Sequence, residues 1–289
     1  MYNHKINKLP KNTFDIVLTF PWSDIEVEYA KAFEELHKDL VIEGFRKGKA
    51  PKELAKKYLK KEDVYNQLMR SLFPKIYEEV ISKQNLKPIM SPKITLLKAK
   101  ENEEWEVKFT TAQKPEIKLG NYKDKLKEAR QNVKNGDIWV PGKEPANKEA
   151  DNEKLKEKNL QETLNTLLKN VACEVSDLII QDELNHRLSR LLDDIQKLGL
   201  TVEGYLKSKG ITMDELKKQY SAEILDTYRI EFILQEIADV EGIKVEKADL
   251  DKLFDKIQDL KEKEQAQKQA YFYASLMRKQ KTLEYLNSL

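Results

Sequence analysis

The chain has 289 residues, 40% apolar and 35% charged; single hydrophobic cores stop growing near this length, so two domains with a large surface are expected rather than one compact module. Fifty-two basic residues against 50 acidic ones leave a formal charge of +2, which excludes nucleic-acid binding along the whole surface and makes any basic function local. Cys173 is the one cysteine and His4, His37 and His186 the only histidines, which excludes an internal disulfide and a CxxC site, and leaves zinc only if acidic side chains were recruited.

Lys5, Lys8 and Lys11 precede the apolar stretch Phe14 to Trp22, the nearest approach to a signal sequence, but Asp15 and Pro21 interrupt it and no small-residue cleavage site follows. With no run long and apolar enough for a membrane helix, a cytoplasmic protein without membrane contact is expected. Phe14, Ile16, Leu18 and Phe20 alternate with Asp15, Val17 and Thr19, the period of a half-buried strand that ends at Pro21. Ser23 and Glu26 read as a capping box opening an amphipathic helix to about Leu40. A basic, glycine-flanked stretch leads to a short helix opened by Pro51. Val64, Leu68, Leu72, Ile76 and Val80 mark a helix in which Pro74 predicts a kink or break. Ile94 and Leu96, then Trp105, Val107 and Phe109, predict two strands around the polar turn Glu101 to Glu104. Residues 1–122 thus read as an α+β domain.

From Lys123 to Ala150 the pattern dissolves into charges broken by Gly136, Pro141, Gly142 and Pro145, which predicts a linker over 123–150. Within it Ile138, Trp139 and Val140 are apolar enough to predict a short docked strand in preference to a binding epitope. All nine prolines lie at or before Pro145, so residues 151–289 are free to be an elongated all-α domain and the chain mainly helical. Leu160, Leu164, Leu167, Leu168 and Val171 form one helical stripe, and Leu184, Leu188, Leu191, Leu192, Ile195 and Leu198 another, capped by Gly199. A short helix over Val202 to Lys207 follows, and Thr212 with Glu215 is a second capping box opening a long helix to Gly242. Leu250, Leu253, Phe254, Ile257 and Leu260 begin a final helical region that resumes at Tyr271 beyond a polar run. Stripes at this spacing are what any bundle core requires, and Cys173 reads as a packed residue, not a reactive thiol.

Between Gly44 and Lys61, 18 positions hold eight basic residues and one acidic residue, Glu53, a surplus of seven in a chain whose total is +2. Such clustering attracts polyanions, an RNA or an acidic surface, although lysine-rich solvated faces are also common. Gly44-Phe45-Arg46-Lys47-Gly48-Lys49-Ala50-Pro51 sets one aromatic and three cations on a glycine-bounded turn before a helix, where Arg46 can fork onto phosphate or carboxylate and Phe45 can fill a pocket or stack. This octapeptide resembles the ribosome-docking signature of the trigger factor family of bacterial chaperones. Leu86-Lys87-Pro88-Ile89 and Pro115 to Tyr122 resemble the end of that family's N-terminal domain, and Val171 to Ile180, with Glu183, Leu184, Tyr205, Leu206 and Glu241-Gly242-Ile243, its helical C-terminal domain.

The resemblance implies an ATP-independent holdase that docks on the large ribosomal subunit near the exit tunnel, on rRNA and ribosomal protein, through Gly44, Phe45, Arg46, Lys47, Gly48, Lys49 and Pro51. It would bind nascent or unfolded polypeptides through the helical domain, with Leu178, Ile179, Ile180, Leu184, Leu188, Tyr205, Leu206 and Phe232 as candidate contacts. It implies no cofactor and no metal, and admits a weak homodimer off the ribosome. Members of the family usually carry an FKBP-type prolyl-isomerase domain between the two blocks; residues 123–150 are too few for one, so isomerase activity is not carried over. Two rivals stand beside this reading, a prolyl isomerase with a degenerate site in the linker and a helical RNA-binding protein without clients. No Walker-type loop, nucleophile elbow or paired-histidine motif points to another enzyme class.

Overall fold

The computed structural model describes residues 2–136, 148–257 and 259–289. These fall into two units with separate cores, residues 1–114 and 115–289.

The first unit opens with β1 (Asn3–Leu9) and β2 (Thr13–Phe20), joined by Pro10, Lys11 and Asn12, the last two at positive φ. Helices α1 (Trp22–Asp39), α2 (Lys52–Tyr58) and α3 (Lys61–Lys83) follow, then β3 (Lys93–Lys98) and β4 (Trp105–Ala112). The sheet is antiparallel in the order β1-β2-β4-β3. One face buries Ile16, Leu18 and Phe20 of β2 and Trp105, Val107 and Phe109 of β4 against Ile25, Ala32 and Phe33 of α1 and Val64, Leu68, Phe73 and Val80 of α3. Alternation in the strands and steps of three and four in the helices thus meet in one core.

Three local expectations for this unit are corrected. β1 had no strand signal, because Asn3–Leu9 is an edge strand with two lysines and only Ile6 and Leu9 as large apolar residues; edge strands stay polar to discourage further pairing. No capping box forms at Ser23: α1 begins at Trp22 with Pro21 as N-cap, whose carbonyl accepts from Asp24 and Ile25. Nor does α3 break at Pro74. The proline sits on the exposed side, where water can satisfy the carbonyl it leaves unpaired, and Phe73 and Ile76 on the opposite face hold the helix to the core.

The second unit contains β5 (Ile117–Lys118), α4 (Tyr122–Gly136), α5 (Lys148–Asn170), β6 (Ala172–Cys173), α6 (Asp177–Lys197), α7 (Val202–Lys209), α8 (Met213–Val240), α9 (Lys247–Phe254), α10 (Leu260–Lys268) and α11 (Ala270–Ser288). It is helical as the proline-free composition predicts, with β5 and β6 paired as one short ladder. The expected linker is corrected at both ends. Residues 122–136 form α4, which packs on α5, and α5 starts at Lys148. The helix signal in α4 was diluted because Tyr122 and Leu126 supply its buried contacts among many charges. Ile138, Trp139 and Val140 lie outside the described residues.

The long helix α8 is the spine of this unit and packs against α5, α6 and α11, burying Ile233, Leu234, Ile237 and Ala238. Its N-terminus carries the expected capping box, in which the Thr212 hydroxyl accepts from the Glu215 N–H at 3.2 Å and Glu215 accepts from the Thr212 N–H at 2.7 Å. At its C-terminus Glu241 accepts from Tyr122 Oη at 2.8 Å, Lys123 Nζ at 2.9 Å and Tyr285 Oη at 2.6 Å, joining α4, α8 and α11. These bonds, led by that from Lys123, pull the Glu241 carboxyl down to about 2, while burial, more than the carboxylate, pushes the Tyr122 phenol well up. The Arg130 guanidinium completes the clasp by donating to the carbonyls of Leu286 and Asn287.

Candidate functional site

Helix α1 ends at Asp39, and the chain between Leu40 and Pro51 is closed at its base. The Gly48 N–H donates to the Leu40 carbonyl at 3.0 Å, and the buried His37 ring donates from Nε2 to the Ala50 carbonyl at 2.8 Å. Ile42 and Ala50 are buried and act as the two feet of the loop. Inside it the Phe45 N–H donates to Ile42 and the Lys49 N–H to Arg46, and Gly44 and Gly48 take φ of +88° and +69°. Gly48 also faces the backbone of α1, where a Cβ would stand 2.6 Å from the Lys38 carbonyl oxygen.

Two fixed feet and two glycine turns leave Gly44, Phe45, Arg46 and Lys47 exposed at the crown, with Lys49 and Pro51 exposed beside it. Phe45 keeps 42% of its surface in solvent, and the neighbouring Val41 keeps 72%. Lys47 Nζ lies 2.6 Å from Asp39, whose carboxyl this hydrogen bond holds below the usual range, and Lys52 pairs with Glu34 in the same way. Lys61 pairs with Glu101 at 2.8 Å. Among the described residues, Arg46, Lys49, Lys56, Lys57 and Lys60 have no carboxylate within ion-pair distance, so five of the eight cations retain their full field toward solvent. The expectation that Pro51 occupies the first turn of α2 shifts by one residue: it is the N-cap, and the helix starts at Lys52.

In the helical unit the candidate client residues divide. Ile179, Leu184 and Phe232 are buried and belong to the core, which corrects their placement as client contacts; helical periodicity cannot separate a core stripe from a cradle. Leu178 and Ile180 are half-buried on the first turn of α6, which Ser176 caps by accepting from the Leu178 N–H. Leu188, Tyr205 and Leu206, distant in sequence, come together with Leu191, Leu192 and Met213 around an almost wholly apolar cavity of 180 Å³ between α6, α7 and α8. Leu192 at 40%, Leu198 at 73% and Leu200 at 51% exposure extend this surface around the α6–α7 turn. Sequence reasoning missed a further exposed cluster on α11, Tyr271, Phe272 and Leu276; its one signal was the dense aromatic run after the polar α10. Among the described residues no cluster of metal-ligating side chains occurs, and no helix is long and apolar enough to cross a membrane.

Comparison with known proteins adds a lineage to this geometry. Residues 2–139 match the family model described as "Bacterial trigger factor protein (TF)", and residues 145–286 match that of its C-terminus. Among curated proteins, the chain is similar to the trigger factor of Moorella thermoacetica, 33% identical over 117 residues, which are 40% of this chain and 26% of the relative. It is 34% identical to that of Streptococcus pneumoniae (strain Hungary19A-6) over 116 residues, 39% of this chain and 27% of the relative. The chain thus spans about a quarter of the length of the curated relatives it matches. It also shares its fold with a solved structure described as "Promiscuous Substrate Recognition in Folding and Assembly Activities of the Trigger Factor Chaperone", with a TM-score of 0.64, 16% identity and 98% of both chains covered. The two family models meet with only residues 140–144 between them, and nearly every remaining position falls within one or the other: the chain belongs to the trigger factor family, without an isomerase domain between its two blocks.

Proposed function

We propose that this protein is an ATP-independent chaperone of the cytoplasm that docks on the large ribosomal subunit beside the exit tunnel and holds nascent or unfolded polypeptides. The observation that carries this reading is the crown of the Leu40–Pro51 loop, where an aromatic ring and exposed cations, Arg46 and the neighbouring Lys49 without a carboxylate partner among the described residues and Lys47 paired with Asp39, are held outward on a base fixed by backbone hydrogen bonds. Phe45 serves as the apolar anchor, and Arg46, Lys47 and Lys49 meet rRNA phosphates and acidic side chains of a ribosomal protein. The apolar cavity and the exposed leucines around the α6–α7 turn support client binding of low selectivity, since small scattered contacts without a deep pocket favour no single side chain. Release then needs no nucleotide, and a weak homodimer off the ribosome would shield the same surfaces.

The test has two arms. Phe45→Ala, Arg46→Ala and Lys47→Ala together should abolish co-sedimentation with ribosomes while leaving the circular dichroism spectrum unchanged; undiminished pelleting at physiological salt refutes the docking role. Stoichiometric wild-type protein should suppress aggregation of a chemically denatured substrate, and Leu198→Ser with Leu200→Ser should weaken that suppression. No suppression by the wild type would leave the RNA-binding reading without clients in its place.

A further inference from the structure

In the first unit two rows of side chains cross the inner face of the sheet, Ile16, Phe109 and Ile94 in one and Leu18, Val107 and Leu96 in the next. Their exposure is graded. Ile16, Phe109, Leu18 and Val107 are at most 1% exposed, whereas Ile94 and Leu96, on the edge strand β3, are 46% and 42% exposed. The cause is the placement of α1 and α3, which bury the residues of β2 and β4 and stop short of β3. An open apolar groove runs where the cover stops, lined by Pro74 and Tyr77 of α3, by Pro88, Ile89 and Met90 ahead of β3, and by Ile94. Among the described residues no strand pairs with the outer edge of β3, so its backbone groups there have no ladder partner.

An edge strand with an apolar shelf behind it is shaped for strand addition, in which backbone hydrogen bonds supply affinity and alternate side chains enter the groove. Charge selects the occupant. From Leu86 to Lys100 the chain carries Lys87, Lys93, Lys98 and Lys100 and no acidic residue, and among the described residues only Lys98 of these four is paired, with Glu106; Glu101, which pairs with Lys61, and Glu103 and Glu104 follow in the turn beyond the strand, so the basic surplus is greatest toward the N-terminal end of β3. A second copy of β3, with lysine at both ends, would set like charges against each other, so this edge repels its own kind. A strand with apolar residues in alternation and carboxylates at its ends meets the opposite situation.

We propose that β3 and the groove behind it form a second polypeptide-binding site that takes an extended, acid-flanked apolar segment as an added strand. The proposal rests on the reading of the protein as a binder of unfolded polypeptides, gives that activity a place outside the helical unit, and names the chemistry preferred there.

The experiment uses the full chain and three fluorescein-labelled ten-residue peptides: one alternating valine and leucine with threonine and ending in glutamates, the same peptide ending in lysines, and the glutamate peptide with alternate amides N-methylated. Fluorescence anisotropy should show the glutamate peptide binding about tenfold more tightly than either of the others. Ile94→Glu and Leu96→Glu, both at exposed positions, should each reduce its affinity about tenfold with an unchanged melting temperature, and Lys93→Glu should shift preference toward the lysine peptide. Equal binding of glutamate and lysine peptides, or of methylated and unmethylated ones, overturns the proposal, as does indifference to the β3 substitutions. Aggregation suppression measured in parallel separates the two readings: a protein that suppresses aggregation but ignores the glutamate peptide lacks this site and remains a chaperone.

Discussion

Gly48 links the crown of the basic loop to the end of α1, and two constraints fall on it at once: a φ of +69° and a Cβ position 2.6 Å from the Lys38 carbonyl oxygen. Gly44 bears only the first, at φ +88° with open space around it. Gly48→Ala should therefore destabilise the first unit by about 2–3 kcal/mol and displace the loop, whereas Gly44→Ala should cost about 1 kcal/mol from backbone strain alone and disturb docking less. Urea titration of the two variants, paired with ribosome co-sedimentation, checks the order; equal losses would mean that the close approach to α1 is unimportant. The two glycines, the phenylalanine and the cations were all legible in sequence. The contact with Lys38 and the His37 bond to Ala50 were not, because each depends on where the end of α1 lies in space.

At the scale of elements, strong periodicity was the reliable guide. The alternation from Phe14 to Phe20 and the Thr212–Glu215 box emerged as β2 and the start of α8, since each pattern reports a whole buried face or a local pair of hydrogen bonds. Signals failed where an element borrows stability from its neighbours. β1 contributes little apolar surface and exists by pairing with β2, and α4 is held by α5 and by the clasp on Glu241. That clasp yields a pH prediction. The folded carboxyl titrates at about 2 against an ordinary 4.5, so its contribution is complete above about 4.5 and is lost as pH falls toward 2. Glu241→Gln should lower the melting temperature by roughly 2–4 °C at pH 7, for a loss of about 1 kcal/mol, and the gap to wild type should close between pH 4.5 and 2. Melting curves followed by circular dichroism across that range test it, and a gap that persists at the acid end would show that Glu241 acts through shape instead of charge.

For the whole molecule, a charge of +2 conceals a surplus of seven confined to Gly44–Lys61. Ribosome affinity should accordingly fall with salt far more steeply than net charge suggests. If Arg46, Lys47 and Lys49 each neutralise one phosphate, a plot of log affinity against log salt should slope by roughly −2 to −3, and each substitution by alanine should flatten it by about 0.7–0.9. Co-sedimentation at graded potassium chloride measures this; a flat dependence would assign the docking energy to Phe45 and to protein contacts. The division into a mixed unit and a helical unit was readable from the distribution of prolines, but the contact boundary falls after Lys114, ahead of the expected Tyr122, because β5 pairs with β6 and so belongs with the helices. The packing of α4 on α5 has a consequence for how such a chain can change. The end of one helix and the start of the next belong to partners already in contact, so adding or deleting sequence between Gly136 and Lys148 alters the length of a connection and not the wiring of the fold. This point is a port, where an entire module can be spliced in or out while the helices on either side keep the same neighbours.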